Sequence, residues 1–178
     1  MRVSLTPHPQ TPSSAIDRIE VDVERVSKGT FIVTYRGFGD LTRLRIPKPQ
    51  PSGRVDELWR HTCFEVFVKG EGGTYYEVNL SPSSQWAAYR FDSYRTGMIE
   101  VPIEPWSMAR LEQAGELELM AEIELGALAS DPWTFALSAV IEDIDGSISY
   151  WALAHPSDKP DFHHPDSFTL VLPAPEQP

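Results

Sequence analysis

Residues 58–80 read LWRHTCFEVFVKGEGGTYYEVNL, and this stretch has the pattern of a β-hairpin. Two runs rich in β-branched and aromatic residues flank the GEGG segment at 70–73, which is typical of a hairpin turn. Successive side chains of a strand point to opposite faces of the sheet. The even positions of both runs are mostly apolar and suit a core: Phe64, Val66, Val68, Tyr76, Val78 and Leu80. The odd positions include polar residues such as Glu65, Glu77 and Asn79.

The same period of two recurs along the chain. At 19–24 and 116–125 apolar residues alternate with acidic residues, which indicates strands with one solvated face. Sixteen prolines, which break helix interiors, also favour strands and loops over a helical bundle. Further strand-like runs lie at 30–36, 133–141, 148–153 and 167–172. About nine or ten short strands predict an all-β fold, an antiparallel β-sandwich with one short helical turn at 126–130.

The domain organisation follows from length and composition. A chain of 178 residues fits one domain with a substantial core. We expect a single domain over 16–172, a flexible N-terminal arm at 1–15 and a disordered tail at 173–178. Cys63 is the only cysteine, so an intrachain disulfide is impossible. The first residues do not have the pattern of a signal peptide, which predicts a cytoplasmic protein and leaves the periplasm open.

The net charge of −11 limits the classes of partner. Nucleic-acid binding needs a basic surface, and docking on an anionic membrane needs one too. Neither partner is therefore predicted, whereas a neutral or positively charged ligand fits the composition. The sequence does not indicate an oligomeric state.

A dense mixture of polar and aromatic residues lies between positions 59 and 95. Strand parity places Glu65, Glu77 and Asn79 on the face of the hairpin opposite the core, with Trp59 and His61. Four more residues extend this predicted ligand-binding surface: Gln85, Trp86, Tyr89 and Arg95. The alternative is structural, with the glutamates solvated or paired with an arginine in a closed network. No nucleophile, cofactor loop or orienting partner supports acid–base catalysis, so no catalytic residue is assigned.

A second cluster lies within WALAHPSDKPDFHHPDSF at 151–168. His155, Asp161 and His163 are candidate ligand-binding residues there. Their spacing matches no standard metal signature, and the His61-x-Cys63 pair on the hairpin is a weak signal. The sequence therefore predicts no metal site and no cofactor-binding motif.

These motifs resemble those of the bacterial DOMON-like proteins, which are related to family 9 carbohydrate-binding modules. The resemblance spans roughly residues 15–172. It rests on three groups of residues: Leu58-Trp59-x-His61-Thr62-Cys63-Phe64-Glu65, Tyr76-Glu77-x-Asn79-Leu80-Ser81-Pro82-Ser83-x-Gln85-Trp86 with Tyr94-Arg95, and Trp151-Ala152-Leu153-x-His155-Pro156 with Pro160-Asp161-Phe162-His163.

The resemblance implies an immunoglobulin-like or jelly-roll β-sandwich that binds a sugar or haem. In sugar-binding relatives, aromatic side chains stack on pyranose rings while polar side chains bond the hydroxyls. The matching positions here are Trp59, Glu65, Glu77, Asn79, Gln85, Trp86 and Arg95. In haem-binding relatives a Met and a His ligate the iron. Here Met98 or Met120 with His61 or His155 are the candidates for that pair.

Four hypotheses follow. The leading one is a non-catalytic protein that binds a carbohydrate, and the second is a haem or redox carrier. A glycosidase that uses Glu65 and Glu77 is a third, since glycosidases use two carboxylates. The fourth is a structural or interaction domain without a small ligand, in which exposed aromatics such as Trp106 and Trp133 form a dimer interface.

Overall fold

The computed structural model describes residues 1–126 and 132–173, and the described residues are folded almost entirely from strands. The strands are β1 Arg2–Pro7, β2 Ile16–Arg25, β3 Thr30–Gly39, β4 Gly53–Arg54, β5 Cys63–Lys69, β6 Tyr75–Leu80, β7 Gln85–Phe91, β8 Ile99–Glu100, β9 Pro105–Gln113, β10 Glu116–Glu124, β11 Trp133–Glu142, β12 Ile148–Ala152 and β13 Leu170–Leu172. Four short 3-10 turns lie at Leu41–Arg43, Leu58–Arg60, Glu71–Gly73 and Pro165–Ser167. The all-β prediction is confirmed.

The strands form one open, curled sheet. Its order is β4-β7-β6-β5-β11-β12-β1-β2-β3-β10-β9, with β13 beside β11 and β8 beside β7. The pairs are antiparallel except β4 with β7. Strand β1 connects the two arms because it pairs with β2 through residues 2–5 and with β12 through residues 6 and 7. The described strands do not divide into two separate sheets, so the β-sandwich stays a prediction.

The main core lies between the two arms of the curled sheet. The Phe31 ring of β3 lies 5.1 Å from that of Phe135 on β11, and the Tyr35 ring lies 4.9 Å from that of Phe64 on β5. The buried Tyr35 hydroxyl donates a 2.7 Å hydrogen bond to the backbone carbonyl of Glu65. Apolar side chains from both arms are therefore removed from water together, which is the dominant stabilising contribution to the fold.

A second apolar cluster covers the other face of the arm that contains β5, β6, β7 and β11. Its buried members come from these strands, from β12 and from the loop before β13: Phe67, Tyr75, Ala87, Tyr89, Phe91, Ala136, Val140, Ala152, Phe162 and Phe168. These strands are consequently covered on both faces. That explains why all six residues of β6 are buried, including Glu77 and Asn79.

Several sequence predictions about the fold are confirmed. Strands β5 and β6 form the predicted antiparallel hairpin around the glycine-rich turn. Strands β2 and β3 form the other predicted hairpin. On β10, the leucine and isoleucine side chains are buried while the glutamate side chains are partly or fully exposed.

Other predictions about the fold are wrong. The segment at 1–15 is not a flexible arm, because Val3 and Leu5 alternate with polar residues and residues 2–7 form β1. The short β4 and β8 and the edge strand β9 were also missed. Trp133 is buried in the core instead of exposed, whereas Trp106 is 64% exposed.

Two predicted segments lie mostly outside the described residues. Of the predicted helical turn at 126–130, residues 127–130 fall outside the described residues, and so do 174–178 of the predicted tail. Among the residues that are described, the structure has no helix with the length and apolar character needed to cross a membrane.

Candidate functional site

An open cleft of about 1090 Å³ lies over the second apolar cluster. Its floor is the face of the sheet formed by side chains from β5, β6, β7, β11 and β12, and its walls are loops. The loop before β5 supplies Asp56, Glu57 and Trp59. The segment after β7 supplies Arg95, Met98, Ile99 and Glu100, and the loop after β12 supplies Lys159, Pro160, Phe162 and His163. The predicted alternative of a fully closed network is therefore not what these residues form.

Two glutamates lie on the floor of the cleft. Glu65 of β5 is opposite Asn79 of β6, and Glu77 of β6 is opposite Phe67 of β5. The glutamates are thus diagonal neighbours on one face, for which Cα atoms lie about 7–8 Å apart. Glu65 and Glu77 are only 3% and 6% exposed. Burial of two carboxylates at this separation is unusual, since each ion loses its hydration.

Each of these carboxylates uses one oxygen for a contact with the protein. Ser138 of β11 donates a 3.3 Å hydrogen bond to Oε2 of Glu65, and Asn79 donates a 2.7 Å bond to Oε1 of Glu77. Within residues 1–126 and 132–173, no hydrogen bond from the protein reaches Oε1 of Glu65 or Oε2 of Glu77. One oxygen of each carboxylate is thus left for another partner.

Burial and mutual repulsion change the protonation of the pair. Burial, followed by the charge of Glu77, raises the pKa of Glu65 well above its usual range. Burial also raises the pKa of Glu77 to about 7, although the hydrogen bond from Asn79 and the charge of Arg95 act in the opposite direction. Near neutral pH the pair therefore retains a proton and can both donate and accept hydrogen bonds.

His163 is a neutral wall residue next to Glu77. Burial and the nearby charge of Arg95 lower the pKa of His163 to about 4. The Tyr75 hydroxyl lies 2.8 Å from Nδ1 of His163 and accepts a 3.1 Å bond from the backbone N–H of Arg95. The hydroxyl proton is then free to point at Nδ1, which assigns the imidazole proton to Nε2. Nε2 lies 3.8 Å from Oε2 of Glu77.

An arginine–aspartate pair fixes the loops above the floor. Arg95 donates to Oδ1 of Asp161 from Nη2 at 2.8 Å and from Nε at 3.2 Å, and Tyr94 donates to Oδ2 at 2.5 Å. Burial opposes ionisation of Asp161, but these hydrogen bonds and the arginine charge outweigh it and lower the pKa. The backbone of Arg95 has a positive φ of 53°, a conformation that non-glycine residues rarely adopt. The network compensates this local strain and holds the guanidinium over the cleft.

A second ion-pair network links Tyr89, Asp56, Arg54 and Glu100. The Tyr89 hydroxyl donates a 2.5 Å hydrogen bond to Oδ1 of Asp56. Arg54 pairs with Asp56 at 2.9 Å and with Glu100 at 3.3 Å, and its guanidinium lies 5.3 Å from the centre of the Tyr89 ring. Burial and the bond to Asp56 raise the pKa of Tyr89. The tyrosine is therefore a fixed, neutral ring on the floor of the cleft.

The structure brings half of the predicted binding residues to the lining of the cleft: Trp59, Glu65, Glu77, Tyr89, Arg95 and His163. Trp59 is 46% exposed and lies on the 3-10 turn before β5, not on the strand itself. Asn79 and Asp161 do not line the cleft, but they position Glu77 and Arg95.

The other four predicted residues lie elsewhere. Trp86 packs in the main core, because the pairing of Glu77 with Tyr89 directs odd positions of β7 toward the cleft and even positions away from it. Gln85 accepts a bond from Ser83. Nδ1 of His61 lies 2.8 Å from Oε2 of Glu142. Nε2 of His155 forms a 2.8 Å hydrogen bond with the backbone carbonyl oxygen of Thr6. Neither histidine lines the cleft.

This placement also bears on the haem and metal hypotheses. Met98 lines the cleft, whereas Met120, His61 and His155 do not. None of the four predicted Met–His pairs is therefore brought together there, and the residues do not fit the haem site that the resemblance implies. Among the described residues, no group of three or more His, Cys, Asp or Glu side chains could hold a metal ion.

Sequence reasoning missed several lining residues. Phe91 and Tyr150 could have been found from parity, because each lies on a strand whose alternate side chains belong to the main core. Asp56, Glu100 and Lys159 come from loops and a two-residue strand. No local pattern indicates where such residues lie in space.

The fold is similar to that of carbohydrate-binding modules among solved structures. No protein-family model matches the chain, and no curated protein matches it in sequence. Among solved structures, a proposed carbohydrate-binding protein from Bacteroides uniformis superposes with a TM-score of 0.68 at 16% identity, covering 97% of this chain and 85% of that one. A family 9 module from Caldicellulosiruptor kristjanssonii in complex with cellotriose superposes with a TM-score of 0.54 at 9% identity, covering 95% and 80%.

Proposed function

We propose that this protein binds a carbohydrate without transforming it, at the cleft above Glu65 and Glu77. The observation that carries the proposal is the composition of the cleft. Two buried carboxyl groups, each with one oxygen left for a ligand, lie beneath exposed or partly exposed rings. Sugars present apolar faces and hydroxyl edges, which need stacking and directed hydrogen bonds together.

The aromatic residues of the cleft suit the apolar faces of a sugar. Trp59 is the most exposed of them, and Tyr89, Phe91, Tyr150 and Phe162 complete the set. At about 1090 Å³ the cleft is slightly larger than the range of about 300–1,000 Å³ that is typical of small-molecule sites. Its size and openness favour an oligosaccharide over a single sugar ring.

The comparisons support this proposal through the fold. The family 9 module was solved in complex with cellotriose, and its architecture is similar to that of this chain over most of both lengths. We also propose that the two arms of the curled sheet correspond to the two layers of a β-sandwich, since both arms supply side chains to one core.

Hydrolysis is the alternative function of the two glutamates, and an assay separates it from binding. Glycosidases place their carboxylates on either side of the scissile bond. Here Glu65 and Glu77 project from one face of one hairpin, and among the described residues the only hydrogen bonds that orient their carboxyl groups come from Ser138 and Asn79. On the proposed binding function we expect oligosaccharides to be recovered intact. Hydrolysis of an aryl glycoside, abolished by Glu65→Gln, would instead support a glycosidase.

Isothermal titration and tryptophan fluorescence with a panel of mono- and oligosaccharides test the proposed function. We expect at least one saccharide to bind with a dissociation constant in the millimolar range or tighter and to change the emission of Trp59. Trp59→Ala should weaken binding by roughly tenfold or more, because a stacked ring contributes about 1.5 kcal/mol or more. Trp106→Ala is the matched control, since this exposed indole lies outside the cleft. Absence of binding across the panel refutes the proposal.

A further inference from the structure

Among the described residues, the charged side chains in the walls of the cleft are ion-paired apart from the exposed Lys159, whereas the two carboxyl groups of the floor are not. On one wall, Asp56 and Glu100 both contact the guanidinium of Arg54. Beside them, Glu57 pairs with Arg60 at 2.7 Å. These wall carboxylates therefore already have cationic partners from the protein.

Within the part of the chain that the structure describes, the two carboxyl groups on the floor have no such partner. On the other wall, Arg95 is neutralised by Asp161 at 2.8 Å. Among the described residues, no Lys or Arg nitrogen lies within 4.0 Å of a carboxyl oxygen of Glu65 or Glu77. The basic side chain closest to Glu77 is the imidazole of His163 at 3.8 Å, which burial keeps neutral near pH 7.

The geometry points to a cationic group of the ligand as the missing partner. We infer that Oε1 of Glu65 and Oε2 of Glu77 together bind a protonated amine, and that the ligand is an amino sugar or an oligosaccharide of amino sugars. This inference rests on the proposed carbohydrate-binding function and specifies the class of sugar. The bare oxygens belong to side chains that are 3% and 6% exposed, so they face the cleft and not bulk water.

Three properties of the surroundings support an ammonium group. A charge-assisted hydrogen bond to a desolvated carboxylate is stronger than a neutral one. The rings of Tyr89, Phe91 and Phe162 line the same cleft, and aromatic faces attract cations. The remaining cationic lining residue, Lys159, is exposed to solvent, where water screens its repulsion.

Three trisaccharides that differ at one substituent provide the test. Cellotriose carries a hydroxyl at C2, the glucosamine trisaccharide carries an ammonium there, and the N-acetylglucosamine trisaccharide carries an uncharged amide. Titration calorimetry at about pH 5.5, where the C2 amines of the glucosamine units are protonated although the neighbouring oxygens make them less basic than a lysine amine, gives the three affinities. Measurement at 0.15 M and 0.5 M NaCl separates specific binding from attraction to the net charge of −11.

We expect the glucosamine trisaccharide to bind at least about tenfold tighter than the other two. Glu77→Gln and Glu65→Gln preserve side-chain volume and should each remove most of this preference. Glu122→Gln, on the half-exposed outer face of β10, is the matched control and should retain it. Melting curves show whether each variant is folded. Because an ammonium favours the ionised pair, binding to the unmodified protein should also release protons, seen as a dependence of the heat on the buffer.

The outcomes separate this inference from the proposed function. Equal or tighter binding of cellotriose overturns the ammonium site and leaves carbohydrate binding intact. If none of the saccharides in the wider panel binds, both proposals fail. A preference for the glucosamine trisaccharide that persists in both glutamine variants also refutes the assignment to Glu65 and Glu77.

Discussion

Replacement of Glu77 by glutamine should stabilise the ligand-free protein increasingly as the pH rises. Glu77 is 6% exposed, and its pKa is raised from the ordinary 4.5 to about 7. Below pH 4.5 the carboxyl group is protonated in both the folded and the unfolded chain, and burial does not oppose a charge. As the pH rises toward 7, the unfolded chain releases this proton while the folded chain retains it, so the free energy of unfolding falls.

The size of this decrease in the free energy of unfolding follows from the change in the pKa of Glu77. Each pH unit between the two pKa values corresponds to about 1.4 kcal/mol, which gives a loss on the order of 3 kcal/mol by pH 8. The charged and titratable groups that interact with Glu77 are Glu65 and Cys63 on β5, His163 and Arg95 on the loops, Tyr75 on its own strand and Tyr89 on β7. Removal of the Glu77 charge also relieves Glu65, which acts in the same direction. The other groups are present in both proteins.

Urea denaturation at pH 5, 6, 7 and 8 provides the measurement. The stability of Glu77→Gln relative to the unmodified protein should increase by roughly 2–3 kcal/mol between pH 5 and 8. The glutamine oxygen can still accept the hydrogen bond from Asn79, so little packing is lost. Glu122→Gln should show no such trend. A stability difference that stays constant over this range, or decreases with pH, would contradict the reasoning.

Two further predictions concern the fold. Tyr35→Phe removes the buried hydrogen bond to the backbone carbonyl of Glu65 and should lower the free energy of unfolding by about 1–3 kcal/mol. Urea denaturation provides the measurement, and an unchanged midpoint would show that the hydrogen bond contributes nothing. Gly39→Ala should destabilise the protein by about 2 kcal/mol or more, because the added Cβ would overlap the backbone carbonyl oxygen of Ala15. A melting temperature equal to that of the unmodified protein would show that the backbone shifts without cost.

Ligand binding at Glu65 and Glu77 would explain why the protein has two buried carboxyl groups that the fold itself does not require. A pair of buried carboxyl groups without a cation destabilises the free protein, and apolar residues of similar size would avoid this cost. Perturbed pKa values of this kind concentrate at functional sites. The destabilisation expected at Glu77 and the ligand preference expected at the same residue are therefore two consequences of one arrangement.

Part of the site could be predicted from the hairpin alone. The period of two places Glu65, Glu77 and Asn79 on one face, and the structure confirms that Glu65 and Glu77 both line the cleft. The same rule would have excluded Trp86, whose even position on β7 directs it into the main core. Trp86 belongs to the predicted surface because it lies in the dense mixture of polar and aromatic residues at 59–95, and such a mixture does not fix the direction of a side chain.

The local alternation of side chains by itself determined that this protein is an all-β chain with a polar and aromatic face on its central hairpin. This follows because the direction of a side chain in a strand depends only on its position in the pleat. Only the tertiary structure decided that the face forms the floor of an open cleft, with His163 and Arg95 in its walls. Those residues lie far from Glu65 along the chain, and their approach depends on how the loops pack over the sheet. The same packing removes water from both glutamates, which gives them their unusual protonation.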